Sequence, residues 1–336
     1  VADLSQIAAT TRESIGRYFS LVSAVPSAIL VAWTVLLVGS GAWFRTPDPA
    51  AALASFSEIG LGGAAGLVLA ALGLGVVLHP LQFAFVQFLE GYWGVSPLAR
   101  AVRLARINAH WHRVRALRRE RAAVARQKGS RRAQLDAPGV PPGQGPALRA
   151  EMAELAAVHS ELDRIADAFP VNRDEFMPTR LGNILRRYEW TVGSAYNIDP
   201  IVSVPYLISV SDPADVEYME DQRSQLDLAV RMTVVSLLAT ALTVVFLARH
   251  GSWLLVALVP YAAAYLAYRG SVVAAAEYGR ALSVLITLNR FALYERLRLQ
   301  MPATTDAERA QNADLMHFLR DGRTDGLSLT YQPPSA

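Results

Sequence analysis

Four apolar stretches divide the chain, at 27–44, 59–78, 228–248 and 253–268. Each is 16 to 21 residues long, and Arg231 is the only charged residue in any of them. A helix needs about 20 apolar residues to cross roughly 30 Å of hydrocarbon, so each stretch predicts a transmembrane helix. Polar sequence with helical periodicity fills the space between the second and third. The expected fold is therefore all-α: four transmembrane helices in two hairpins, with a helical cytoplasmic domain formed by the central segment and the C-terminal helix.

The expected division follows the pattern. Residues 1–26 are a cytoplasmic N-terminal segment, 27–44 the first span, 45–58 an external loop, and 59–80 the second span, extending to about 94. Residues 95–227 form the cytoplasmic helical domain, 228–248 the third span, 249–252 an external turn and 253–268 the fourth span. Residues 269–320 are cytoplasmic C-terminal helices, and 321–336 a disordered tail.

Charge orients this plan. Outside the spans, lysine and arginine number two before the first span, one in the first connection, nineteen between about 90 and 227, one in the third connection and eight from Arg269 onward. Basic residues near the span ends mark the cytoplasmic side, and Arg100 and Arg103 after the second span and Arg269 after the fourth agree with the loop counts, which places both termini and the central segment in the cytoplasm. The expected location is a bacterial cytoplasmic (inner) membrane. The first twenty residues carry Asp3, Arg12, Glu13 and Arg17 and run straight into a span, so no cleaved signal peptide is expected.

Within the second span Gly62 and Gly66 form a G-x-x-x-G, a spacing that lets another backbone approach closely. His79-Pro80 ends the span, and proline should bend the helix there. Arg231 lies near the cytoplasmic start of the third span, where snorkelling to the interface is expected to accommodate it.

In the central segment Ser96-Pro97 predicts a helix start, and the helix runs to about Lys128. It carries Arg100, Arg103, Arg106 and Arg113, which lie where they could meet anionic lipid headgroups; a solvated or ion-paired face explains them equally well, and no nucleic-acid-binding module accompanies them. Residues 130–146, dense in glycine and proline, predict a loop. A second helix at about 147–168 would pair antiparallel with the first. Farther on, Asp212-Pro213 should start the helix entering the third span, and Asn289 is either an ordinary satisfied amide or one that fixes the register of two helices. Thr305-x-x-Glu308 predicts a capping box for a last helix.

Arg180, Asn183, Arg187, Tyr188, Glu189, Trp190 and Tyr196 make a polar and aromatic cluster, either a ligand or partner site or a structural hydrogen-bond network. The run Arg180-Leu181-Gly182-Asn183, then Arg187, Glu189, Tyr196, Asp199-Pro200 and Pro205-Tyr206-Leu207 ahead of a membrane hairpin, resembles uncharacterised multi-pass membrane proteins of actinobacteria and other bacteria. The resemblance covers roughly 178–270 and implies topology. Where that pattern has a glycine after Tyr196 this chain has Asn197, a residue that also tolerates the left-handed conformation such a turn needs.

Composition removes several kinds of chemistry. The chain has no cysteine, so it has no thiolate nucleophile, iron–sulfur cluster or cysteine zinc site. Its one lysine, Lys128, follows Gln127, so there is no phosphate-binding Gly-Lys-Ser/Thr loop. The six histidines form no H-E-x-x-H, and no G-x-S-x-G nucleophile elbow occurs. No cofactor, metal or catalytic residue is expected. The reading is a non-enzymatic membrane protein whose cytoplasmic domain couples a ligand or partner to the spans, as an oligomeric channel or effector would. The alternatives are a membrane scaffold for cytoplasmic partners, and a membrane enzyme or transporter with an unrecognised site. Expected partners are the bilayer and either further copies of the chain or a cytoplasmic protein.

Overall fold

A computed structural model describes residues 19–138, 141, 143–322 and 326–332. Most of the expected N-terminal segment, residues 139, 140 and 142 of the expected loop, and residues 323–325 and 333–336 of the expected tail lie outside the described residues. The fold is 81% helix, with no strand among the described residues.

After a π-helical turn at Phe19–Ala24 come α1 (Val25–Gly39), α2 (Pro49–Ser57) and α3 (Leu61–Leu78). A 3-10 turn, His79–Leu81, holds Pro80 and joins α3 to α4 (Gln82–Glu90). Then follow α5 (Pro97–Leu135), α6 (Gln144–Ala166), α7 (Arg180–Tyr196), α8 (Pro200–Ile208), α9 (Pro213–Leu247), α10 (Leu258–Arg296) and α11 (Thr305–Asp321). Four helical segments are long and apolar enough to cross a membrane: Val22–Gly39, Leu61–Glu90, Pro213–Leu247 and Gly251–Arg296.

Local chemistry sets the boundaries. Ser96, Thr179, Asp199 and Asp212 each cap a helix by accepting a backbone N–H, and Pro97, Pro200 and Pro213 supply first-turn residues whose missing N–H costs nothing there. Asn197 closes α7 in the left-handed region, φ 56°, as its amide side chain permits. The cap of α11 is Thr304 rather than Thr305, because Thr304 Oγ1 accepts from the Ala307 N–H and Glu308 is drawn into an ion pair instead. The first connection, expected as a loop, contains α2, whose first turn is capped by Asp48. The loop expected at 130–146 is shorter, since α5 continues to Leu135 and α6 begins at Gln144. Part of the expected disordered tail is paired: Gln332 N–H donates to Arg298 O and Gln300 N–H to Thr330 O, an antiparallel bridge between Leu299 and Tyr331.

The described residues form two compact units. One comprises the residues up to Leu89 with Ser211–Asn289; the other comprises Glu90–Val210 with Arg290 onward.

In the first unit α1, α3 and α9 close around Leu30, Leu78, Val235 and Ala239, with Trp33, Leu74, Phe85 and Leu242 packed outside them. Trp33 Nε1 donates to Thr243 Oγ1 at 2.8 Å, so even the indole's polar edge is bonded within the bundle. The amphipathic first half of α9 meets α10 through Met219, Ala281 and Leu285. Asn289 fixes that pair: its Nδ2 donates to Asp215 Oδ2 at 2.8 Å and its Oδ1 accepts from the Asp212 N–H.

Arg231 departs from the expectation of snorkelling, for its relative exposure is 0%. Nε donates to Gln82 Oε1 at 2.9 Å, Nη1 to Ser23 Oγ at 2.6 Å, and Nη2 lies 3.4 Å from Leu78 O. Gln82 in turn donates through Nε2 to the backbone oxygen and Oδ1 of the buried Asp227, one turn before Arg231. Acceptors from three segments satisfy the guanidinium, so it has no need to reach water.

In the second unit α5 and α6 form the expected α-hairpin. Val114, Phe169 and Phe176 make a small core there, with Ile107, Trp111 and Ala168 packed against it. α7, α8, α11 and the last turns of α10 complete this unit.

Candidate functional site

α7 alternates apolar and polar residues strongly enough to bury one side, and its polar residues separate by face. Arg186, Glu189, Trp190 and Gly193 stand at i, i+3, i+4 and i+7, which puts them on one stripe of the helix. On α11, Ala313, Met316, His317 and Arg320 have the same spacing. The two stripes and the turn Asn197–Ile201 enclose an open cleft of about 420 Å3, with Glu175 at one end.

The cleft combines charge with an apolar floor. Arg186 lies 3.4 Å from Glu189 and 3.6 Å from Glu175. Arg320 pairs with Asp199 Oδ2, while Oδ1 of the same carboxylate caps α8 by accepting from the Ile201 N–H at 2.9 Å. Three carboxylates thus share two guanidinium groups, both already engaged, beside Trp190, Ile198, Pro200, Ile201 and Met316. Burial pushes the Glu189 carboxyl above the usual carboxylate range; Arg186 opposes the shift, and Asp199 and Glu175 add to it. Such a surface suits a ligand that donates hydrogen bonds or carries positive charge on an apolar body.

The residues expected as one cluster are therefore distributed. Glu189 and Trp190 line the cleft. Arg187 faces away from it, 3.8 Å from Asp167, and Tyr188 is half-buried outside it. Arg180 is exposed at the first position of α7.

Asn183 is structural. It is fully buried, its Oδ1 accepts from the Met177 N–H, and its Nδ2 donates to Met177 O and Thr179 O, which locks the turn entering α7. Gly182 beside it belongs to the same knot. Thr179 Oγ1 donates to Glu90 O, and a Cβ at Gly182 would stand 2.3 Å from that oxygen. Gly182 and Asn183 of the Arg-Leu-Gly-Asn run thus form a packing joint.

Tyr196 has another role. Its ring lies 4.3 Å from the Arg290 guanidinium, and its backbone oxygen accepts from Asn312 Nδ2 at 2.7 Å. Arg290 also binds Glu308 at 2.6 Å with both side chains largely buried, and Tyr294 OH donates to Asn312 Oδ1. The C-terminal turns of α10 are thereby fastened to α7 and α11.

Gly62 and Gly66 face open space, since a Cβ on either meets no atom within 4 Å. Arg100, Arg106 and Arg113 are exposed and Arg103 half-buried on α5. Among the described residues no three His, Cys, Asp or Glu side chains converge as a metal site requires. Sequence reasoning missed Arg186, Arg320, His317 and Glu175 as cleft residues. Only the shared i, i+3, i+4, i+7 spacing on the two helices signals them.

No family model, no curated protein and no solved structure matches this chain.

The carboxyl shift gives a signed expectation. A carboxyl held above its unfolded pKa stabilises the fold fully below about pH 4.5, the ordinary value, and that stabilisation is lost as pH rises through the raised value. Glu189→Gln should therefore melt higher than the parent at neutral pH, with the difference shrinking toward pH 4. A difference that widens as pH falls would show that the carboxylate is stabilised in place.

Proposed function

We propose that this chain is a non-enzymatic, multi-pass protein of a bacterial inner membrane. Its second unit, on the cytoplasmic side with both termini, couples a ligand or partner held in the α7–α11 cleft to the membrane helices of an oligomeric channel or effector. The observation that carries this reading is α10. It is a single helix of 39 residues, apolar over its first half, and its last turns supply Arg290 and Tyr294 to the fastening beside the cleft. A helix whose apolar part belongs to a span and whose last turns belong to a polar site is an element that both ends can bias.

The distribution of basic residues supports the orientation, because both connections expected outside carry one arginine each. The open faces of Gly62 and Gly66 support assembly, since nothing among the described residues uses their close-approach surface. Gly62→Leu and Gly66→Leu should leave the single chain intact, because each added side chain has room, yet shift the detergent-solubilised protein to smaller assemblies in light scattering. Unchanged mass would remove that face from the interface.

The reading as a whole is tested by expressing the full chain in bacteria while following membrane potential with a dye. Depolarisation that Trp190→Ala or Arg290→Ala abolishes is the expected result. An unchanged potential, with a purified chain that is monomeric and carries one cytoplasmic protein at equal stoichiometry, would replace the channel reading with that of a scaffold.

A further inference from the structure

The arginines of α5 fall into two groups with different surroundings. Toward the far end four are engaged: Arg118 donates to Pro170 O and Val171 O, Arg121 pairs with Asp163, Arg131 with Glu151 and Arg132 with Asp136, whereas Arg115, Arg119 and Arg126 are not, among the described residues. Near the start, Arg100, Arg103, Arg106 and Arg113 make no ion pair or side-chain hydrogen bond among the described residues. No acid is available to them in sequence either, because residues 91–119 hold seven arginines and no Asp or Glu. Ion pairing within the hairpin engages part of the far group and none of the near group.

The near group is also interleaved with exposed apolar side chains. Val95 is 81% exposed, Leu98 75%, Val102 42% and Leu104 58%, and the hydrophobic core of the hairpin begins only at Ile107. Leu98, Val102, Arg106 and Arg113 follow one another along one side of the helix, so that side turns from apolar to basic away from the helix start. Water penalises exposed leucine and valine, and a protein partner of ordinary composition would place acids opposite the arginines. A bilayer surface satisfies both demands at once, with acyl boundary for the apolar residues and phosphates for the guanidinium groups.

We infer that the first turns of α5 form an anionic-phospholipid docking surface, with Val95, Leu98 and Val102 entering the acyl boundary and Arg100, Arg103, Arg106 and Arg113 binding headgroup phosphates. Arginine suits this role because its planar fork engages two phosphate oxygens together. Occupancy falls as salt rises, because the attraction is screened within about 10 Å at 0.1 M. The inference rests on the membrane reading of the four apolar helices and is independent of the cleft.

The chain has no cysteine, so single cysteines can be introduced and labelled with an environment-sensitive dye in the full-length protein. Leu98→Cys is placed in nanodiscs of phosphatidylcholine alone or mixed with phosphatidylglycerol, with iodide as aqueous quencher and nitroxide lipids as membrane quenchers. Gly129→Cys, open to solvent on the same helix, serves as the aqueous control, and Val76→Cys on α3 tests the membrane reading itself. With phosphatidylglycerol, the label at 98 is expected to be quenched by shallow nitroxide lipid and shielded from iodide by roughly threefold or more. Replacing the four arginines by glutamine should return it to the level in phosphatidylcholine. Equal iodide access in both lipids overturns the proposal, and so does shielding from both quenchers, which would mean that protein covers the face. Nitroxide quenching that ignores lipid charge and the glutamine changes overturns phosphate recognition. A label at 76 open to iodide would instead refute the membrane reading.

Discussion

Arg231→Ala is expected to cost about 3–5 kcal/mol, from several buried acceptors orphaned at once and the cavity left by a fully buried side chain. The size follows from what is left behind. Gln82 Oε1, Ser23 Oγ and Leu78 O lose their donor at a site with no exposure, while Asp227 keeps Gln82 Nε2 and Arg223. Circular dichroism of the protein in detergent, followed with temperature, reports the loss of helix. If Arg231→Ala melts within a degree or two of the parent, the guanidinium is not held as described.

Gly182→Ala is expected to cost about 2–3 kcal/mol, well beyond an ordinary surface change. The added methyl would meet a backbone oxygen, that of Glu90, and a second atom of Met177 at 2.9 Å. A carbonyl fixed by the Thr179 hydroxyl cannot swing aside as a side-chain tip can. Gly193→Ala in the same helix is the matched control. Its nearest neighbour is Ile198 O at 3.4 Å, so it should be neutral or gain up to about 1 kcal/mol of helix propensity. Chemical denaturation of the two variants side by side separates a packing joint from a mere helix position.

These two sites show where sequence reading stops. The apolar helices were legible because each needs only a run of about 20 residues that carries its own signal. The starts at Ser96-Pro97 and Asp212-Pro213, and the left-handed Asn197, were legible because capping is local chemistry. Arg231 was not. Its partners Gln82 and Ser23 lie 149 and 208 residues away, and without them a charge near a span end reads as an interface residue. The cluster on α7 was found as a segment but not as a site, since its opposite wall comes from residues 313–320 and a helix stripe cannot name its partner. Thr305-x-x-Glu308 misled for a related reason: Glu308 fits a capping box by spacing, but Arg290 competes for it through the fold.

Coupling along α10 is the central claim, and a label in that helix tests it most directly. With a single dye-bearing cysteine replacing Tyr265, in full-length protein in nanodiscs, the Arg290–Glu308 pair is broken by Glu308→Gln and the emission compared with that of Arg131→Gln on α5. The account predicts that Glu308→Gln, although it lowers the melting temperature, shifts the emission or iodide access of the label at 265 in protein still folded at the assay temperature, and that Arg131→Gln does neither. An emission unchanged by Glu308→Gln in a folded protein would contradict the coupling and leave α10 as a passive anchor.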